Sequence, residues 1–512
     1  MVSAKKKQQI TQEQTALLNQ NLENKLLTKS LDKNLKTLKE LFTDDDTLVT
    51  RYVINNHQQD LHFYIAYSDP LVNSFTVNED IIKPLMHSQI IQYGDPEHLI
   101  HQVVLISEAK KAKNFLDIVN AITYGDTVVL AEGSDEALLL NTKGFSARGI
   151  SEPDNEKVLS GPREGFAEAL IPNLCLLRRR LRTNDLKLRY YTLGTRTRTT
   201  ACVCYLDSLV NHDILKDLNQ RLTEIDIDGV LDTEYINELT KDSPYSLFRT
   251  IGTTERPDST VAKLLEGRIA VFLDGTPVVL TIPYLFIENF QSSEDYYINY
   301  FYSSFTRLLR MISFFICIAF PAFYIATVAF NREMLPTDFL VNIASERQSV
   351  PLSAASEAFV MLILFALLKE TGVRMPSNLG QSLSIVGALI IGQAAVEAKL
   401  VASPMIIVIA LTGISGLLVT KLNSAIIYLQ IFLLLLASTM GFYGLNLGMC
   451  FIIIHLLNLH SFGIPQITLS GELQAQELKD VPIRAPWWTM RTRPKALSKN
   501  RQRMKPKDGN ND

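Results

Sequence analysis

Two carboxylates stand where carboxylates are costly. Glu357 interrupts the apolar run Pro351–Leu368, and Glu397 closes the run Gln381–Ala398, which also carries Gln393. A charge at the centre of a bilayer costs roughly 2.5–3.5 kcal/mol on insertion scales, so each needs water, a partner or a place at the membrane surface. One chemistry that would use them is ion conduction. Ser353, Ser356 and Glu357 would face a water-filled pore, with Val360 and Leu364 below them on nearly the same helical face. A ring of glutamates favours cations, and an apolar ring gates by dewetting. Glu397 is the second acidic candidate. The plainer reading places both glutamates at helix ends, in headgroup water.

A second cluster is cationic. Arg178, Arg179, Arg180 and Arg182 end a helix expected over Phe166–Arg182. Such a group could bind anionic lipid headgroups or phosphate. The favoured alternative pairs it with acids of a neighbouring domain. Other chemistries lack their residues. There is no G-x-x-x-x-G-K-[ST] or G-x-G-x-x-G phosphate loop and no G-x-S-x-G turn. The eight histidines are scattered without ligand spacing, so no metal, cofactor or enzymatic reaction is expected. A net charge of −3 argues against nucleic acid as a partner. The five cysteines cannot all pair; Cys202 and Cys204 alternate on one face of an expected strand, and all five read as reduced.

The elements that must carry these residues fall into two halves. The apolar half begins at Met311–Phe330, twenty uncharged residues flanked by Arg307, Arg310 and Arg332. About 20 apolar residues span a bilayer core. Five further runs follow: 351–368, 381–398, 404–420, 423–436 and 442–459. The opening MVSAKKKQQITQEQ has no apolar signal core, so the residues ahead of the first span are expected to stay cytoplasmic. Nine basic residues and no acid lie between Arg484 and Lys507, beside Trp487 and Trp488, which places the tail inside as well. Both ends inside require an even number of crossings, four to six. Gly444-Leu-Asn-Leu-Gly448 is a close-packing pair, expected within one subunit.

The polar half dilutes the mean hydropathy to +0.10. Residues 1–40 form a charged amphipathic or flexible arm. Residues 41–150 and 186–290 read as two α/β subdomains, joined by a linker with the Arg-rich helix at 151–185. Hairpins are expected at Val128–Ala131 with Ala137–Leu140, and at Ile269–Leu273 with Val278–Ile282. Asp274-Gly275 suits a type I′ turn in the second. Gly125 and Gly133 share the spacing of Gly267 and Gly275, an offset of 142. Tyr67-Ser-Asp69-Pro-Leu71-Val72-Asn73 echoes Tyr205-Leu-Asp207-Ser-Leu209-Val210-Asn211 at an offset of 138. Two matches at nearly one offset indicate a duplicated subdomain, with Tyr67 and Tyr205 in equal roles and Asp69 and Asp207 as caps. The fold class is therefore multidomain: a duplicated α/β region, then an all-α polytopic membrane bundle at 291–460, then a basic tail at 461–512.

On longer segments the chain resembles the A subunit of the spore germinant-receptor family, the GerA type. These segments are SEPDNEKVLSGPREGFAEALIPNLCLLRRRLR (151–182), TTERPDSTVAKLLEGRIAVFLDGTPVVLTIP (253–283), SSEDYY (292–297), RMPSNLGQSLSIVGALIIGQAAVEAKLVASP (374–404) and LKDVPIRAPWWTMRTRP (478–494). The resemblance implies a part in spore germination, in the inner spore membrane. It implies a transporter-like B subunit that senses nutrients and a lipoprotein C subunit as partners. It also implies a homo-oligomer, a pentamer, that conducts cations. The competing readings are a secondary transporter and a non-conducting scaffold of the complex. Two positions depart from the family pattern. Gln466 replaces the usual tyrosine after Ser461–Pro465, and Lys399 replaces the usual glycine before the fourth span.

Overall fold

A computed structural model gives the fold. It describes residues 22–89, 96–144, 152–153, 155–374, 387, 390–467, 480–490, 492–494, 497–498 and 503. The leading half of the expected arm, most of the first part of the 381–398 run and most of the tail's basic residues beyond Arg493 lie outside the described residues.

The first sheet contains β1 (Leu48–Ile54), β2 (His62–Ser68), β3 (Ala109–Ala112), β4 (Asp126–Ala131) and β5 (Ala137–Asn141), in the antiparallel order β1-β2-β4-β5-β3. The second contains β6 (Leu186–Leu193), β7 (Thr199–Leu206), β8 (Gly252–Thr254), β9 (Ile269–Leu273) and β10 (Val279–Ile282), ordered β6-β7-β9-β10-β8. Strand for strand the two orders are the same. Central strands are apolar at successive positions because both faces are covered. Val129 and Phe63 pack on one side of the first sheet. On the other, Val128 and Leu130 meet α1 (Leu31–Leu41) and α2 (Phe115–Tyr124) through Leu38, Phe115 and Ile122. In the second sheet, Cys202 and Cys204 face α3 (Leu170–Arg180), and Val203 and Val271 face α4 (His212–Thr223). The two thiols are free and buried, their sulfurs 3.7 Å apart.

Both repeat matches sit at equivalent places. Gly125, Gly133, Gly267 and Gly275 all take positive φ, which explains the shared glycine spacing. Two local expectations are corrected. The helix caps are Asn73 and Asn211, whose side chains accept from Phe75 N and Asp213 N. Asp69 and Asp207 stand exposed ahead of them. The Asp274-Gly275 turn is not type I′. Only Gly275 has positive φ, and Asp274 is held otherwise, its Oδ1 accepting from Leu170 N at 2.9 Å.

After α5 (Pro257–Leu264) and the second sheet comes the helical half: α6 (Tyr300–Ile325), α7 (Thr337–Gln348), α8 (Ala354–Arg374), α9 (Ser403–Leu418) and α10 (Asn423–Asn458). Residues 390–397 are also helical. The stretches Tyr300–Phe330 and Thr420–Asn458 are long and apolar enough to cross a bilayer. The first helix starts eleven residues ahead of the uncharged run. Arg307 and Arg310 turn inward, so its outer face is already apolar at Phe301, Tyr302 and Phe305.

Within α10, Gly441 has φ 57° and ψ −136°, a conformation for glycine alone. The chain folds back there. Phe432 and Phe451 lie 5.9 Å apart across the two arms, and a Cβ on Gly448 would stand 2.7 Å from Leu433. The G-x-x-x-G pair thus packs within the chain.

Helix ends gather at two levels. At the level of the sheets, Arg310 meets Asp295, Lys369 Nζ meets Asn423 Oδ1 at 3.0 Å, Lys421 Nζ meets Gln291 O at 3.1 Å, and His455 meets Ser246. At the opposite level Phe330 covers Gly441, Glu346 meets Ser403, and Arg347 meets Glu357.

Candidate functional site

At the level away from the sheets, the pore candidates separate. Ser353 and Ser356 share a hydroxyl contact at the start of α8; Ser353 is exposed and Ser356 half-buried. Val360 faces outward at 42% exposure. Leu364 turns partly inward against the cluster of Met361, Met405 and Ile409. Glu357 departs from the expected face altogether. It is fully buried, its Oε2 accepting from Ala402 N at 3.2 Å and its Oε1 lying 3.4 Å from Arg347. The reason is local. The start of α9 offers a free N–H and the positive end of a helix, and α7 supplies a guanidinium, so the carboxylate has partners inside its own chain. Glu397 is exposed at the end of 390–397, accepting from Gln393 Nε2 at 3.0 Å.

The arginine cluster is divided too. Arg178 and Asp45 form an ion pair, both side chains 1% exposed, that joins the second subdomain to the first. Asp46 continues the seam: its N donates to Leu188 O at 2.9 Å, and its carboxylate accepts from Tyr190 N at 2.8 Å. Arg179 and Arg180 both reach Glu164. Arg182 lies over the Tyr124 ring at 4.1 Å.

A third site was not legible as one. The residues linking the second subdomain to α6 form a dense network of buried charge. Asp295, fully buried, receives Arg310 at 2.5 Å and Arg307 at 3.3 Å. Arg307, also fully buried, reaches on to Asp480 at 2.9 Å, and Tyr296 OH donates to Asp480 at 2.7 Å. One layer above, Glu288 pairs with Arg268 and with Lys263 at 3.3 Å. Burial pushes the Glu288 carboxyl up, but the charges of Arg268 and Lys263 outweigh it and hold the group below the ordinary range. For Asp480 the balance is reversed: burial dominates over Arg307, and its carboxyl is raised.

A branch of this network reaches back to the linker. Arg256, fully buried, binds Asp258, Glu156 O at 3.1 Å and Pro162 O at 2.7 Å. Tyr297 OH donates to Asp258 at 2.6 Å, and its ring covers Gly161. The linker, the second subdomain, the start of α6 and Asp480 of the tail therefore meet in one place. Charges buried this way are strongly destabilising when one partner is lost, so they fix geometry. Their signal lay in plain view as charged residues within TTERPDST, SSEDYY and LKDVPIR, but scattered positions do not reveal their convergence.

A family model described as Bacillus/Clostridium GerA spore germination protein matches residues 36–496. The chain belongs to the GerA spore germination protein family. It is similar to spore germination protein KA of Bacillus subtilis, 38% identical over 93% of this chain and 88% of that protein. It is also 38% identical to a Bacillus subtilis protein named uncharacterized membrane protein YfkQ, over 88% of this chain and 89% of the other. The crystal structure of the N-terminal domain of the A subunit of the Bacillus megaterium spore germinant receptor GerK3 aligns with 51% of this chain and 97% of its own. Its TM-score is 0.41 and its identity 28%. Both positions read from the sequence as departures from the family pattern are described in the structure. Lys399 adopts φ 57°, a left-handed conformation that glycine takes without strain. Gln466 is buried, its Nε2 donating to Arg249 O at 2.6 Å.

Proposed function

We propose that this chain is the A subunit of a nutrient germinant receptor in the inner spore membrane, working with a transporter-like B subunit and a lipoprotein C subunit. In this reading several copies assemble around an axis and form a gated cation channel. The helices cross six times, with both termini on the cytoplasmic side. Support for the crossings comes from the alternation of helix ends between two levels: α6 outward, α8 inward, 390–397 outward, α9 inward, and the two arms of α10 outward and inward.

The observation that carries the channel reading is the outer face of α8. Ser353, Val360, Ile363 and Leu367 are exposed along it, and Thr371 follows at its far end. A hydroxyl-rimmed apolar stripe of this kind suits a narrow axis that gates by dewetting. Glu357 acts from behind the stripe, fixing α8 to α7 and α9 rather than lining the axis. The buried junction of Asp295, Arg307, Arg310 and Asp480 then joins movements of the soluble subdomains to α6.

The test is conductance of the purified chain in planar bilayers. Ser353→Lys should lower cation selectivity, whereas Glu357→Gln should change open probability and leave selectivity as it is. A purified single copy that passes no current, or unaltered selectivity in Ser353→Lys, would remove the outer face of α8 from any pore.

A further inference from the structure

One loop of the second subdomain, Lys241–Arg249, turns apolar side chains outward beside the long apolar helices. Its outward side chains are Tyr245, completely exposed, and Leu247, 43% exposed. Their neighbours in sequence face inward and set the depth at which the loop sits. Phe248 packs edge-on to Phe286 at 5.7 Å, and Phe286 and Phe290 both pack on Phe314 at 6.2 and 5.6 Å. Phe314 lies inside the uncharged run of the first span. Ser246 Oγ lies 3.1 Å from His455 Nε2, three residues before the last arm of α10 ends. Two alternate residues of the loop are thus fastened to the first and last apolar helices. The two residues between and beside them point the other way at the same level.

The charges around the loop agree with a headgroup environment. Asp242 is neutralised by Arg221 at 2.6 Å. Lys241 and Arg249, half-exposed and exposed, bracket the loop as cations. Tyrosine with an apolar neighbour and flanking cations is the composition found where protein meets the membrane–water boundary.

We propose that the loop Lys241–Arg249 is a membrane anchor, with Tyr245 and Leu247 seated in the headgroup layer of the lipid bilayer. It holds the second subdomain against the membrane at a point separate from the covalent connection through α6. The inference rests on the membrane-spanning reading of α6 and α10, and the test separates the two.

The chain's two tryptophans are Trp487 and Trp488. Both are replaced by phenylalanine, and one reporter is then introduced at a time. Tyr245→Trp tests the loop. Phe315→Trp, at a half-exposed site in the middle of α6, tests the span. The full chain is reconstituted in vesicles of phosphatidylcholine and phosphatidylglycerol, with and without acyl chains brominated close to the headgroup. The expected result is loss of fluorescence to brominated lipid for both reporters, with the loop reporter shielded from aqueous acrylamide. If the loop reporter ignores the bromines while the span reporter is quenched, the anchor is overturned. In that event access to acrylamide places the loop in water, and protection from both quenchers places a second copy over it. If neither reporter is quenched by brominated lipid, the membrane reading falls and the anchor with it.

Discussion

The two α/β subdomains share a strand order but treat one equivalent position in opposite ways. Asp126 follows Gly125 at the start of β4, and Arg268 follows Gly267 just before β9, at the 142-residue offset. In the first copy Asp126 pairs with Lys143 at 2.7 Å, with both side chains about one-fifth exposed. In the second, Arg268 pairs with Glu288, with both nearly buried, and its Nη1 also donates to Pro283 O at 2.8 Å. The first copy keeps its charge in contact with water. The second has buried it under the segment that leads into the helical half. A duplicated frame thus holds two fates: one copy remains a surface domain, and the other becomes the mount for the helical half.

This comparison makes its largest prediction at that position. Arg268→Met should cost about 3–5 kcal/mol, because it removes the nearer of the two cations that Glu288 pairs with in a dry site. Lys143→Met, the matched change in the first copy, should cost about 0.2–1 kcal/mol. Denaturant unfolding of the solubilised chain reads both; equal costs would break the contrast. Acid sharpens it. Glu288 is held below the 4.5 of an ordinary glutamate, so its stabilisation is present above that pH and lost as pH falls through the lower folded value. The penalty of Arg268→Met should therefore shrink on acidification.

The seam between the copies comes next. Arg178→Met should cost roughly 3 kcal/mol and open the 151–169 linker to protease, because Asp45 is left buried without its cation. If cleavage does not change, the subdomains are held together by something other than this pair.

The cap positions test where the copies remain alike. Asn211→Ala and Asn73→Ala should each cost about 1 kcal/mol, since each side chain caps a continuous helical run, 212–223 and 74–87. The last effect lies outside both copies and has the opposite sign. Lys399→Gly should stabilise by about 1 kcal/mol by removing a side chain from left-handed backbone. A loss of stability there would mean that the lysine side chain has a role of its own.

Much of the soluble fold was legible from the chain. Hairpin runs, the glycine spacing and the Tyr-to-Asn echo reported local rules of backbone and pairing, and those rules act over a few residues. The first long apolar helix was legible in its uncharged run, though not in its true beginning. Arg307 and Arg310 look like flanking charges in sequence, but they are inward partners of Asp295. The α10 hairpin was visible as two runs, and Gly441 alone decides that they fold back.

Glu357 marks the limit most clearly. Periodicity puts it near Ser356 and Val360, but periodicity cannot know that Ala402 and Arg347 will be brought beside it from 45 residues downstream and 10 upstream. By itself the sequence determined the elements, the duplication, the membrane-like half and the family, because each depends on residue type and near spacing. Only the tertiary structure decided which charges are buried, which partners meet them and which face of α8 is left outward. Burial and pairing are properties of converging segments, and no single segment contains them.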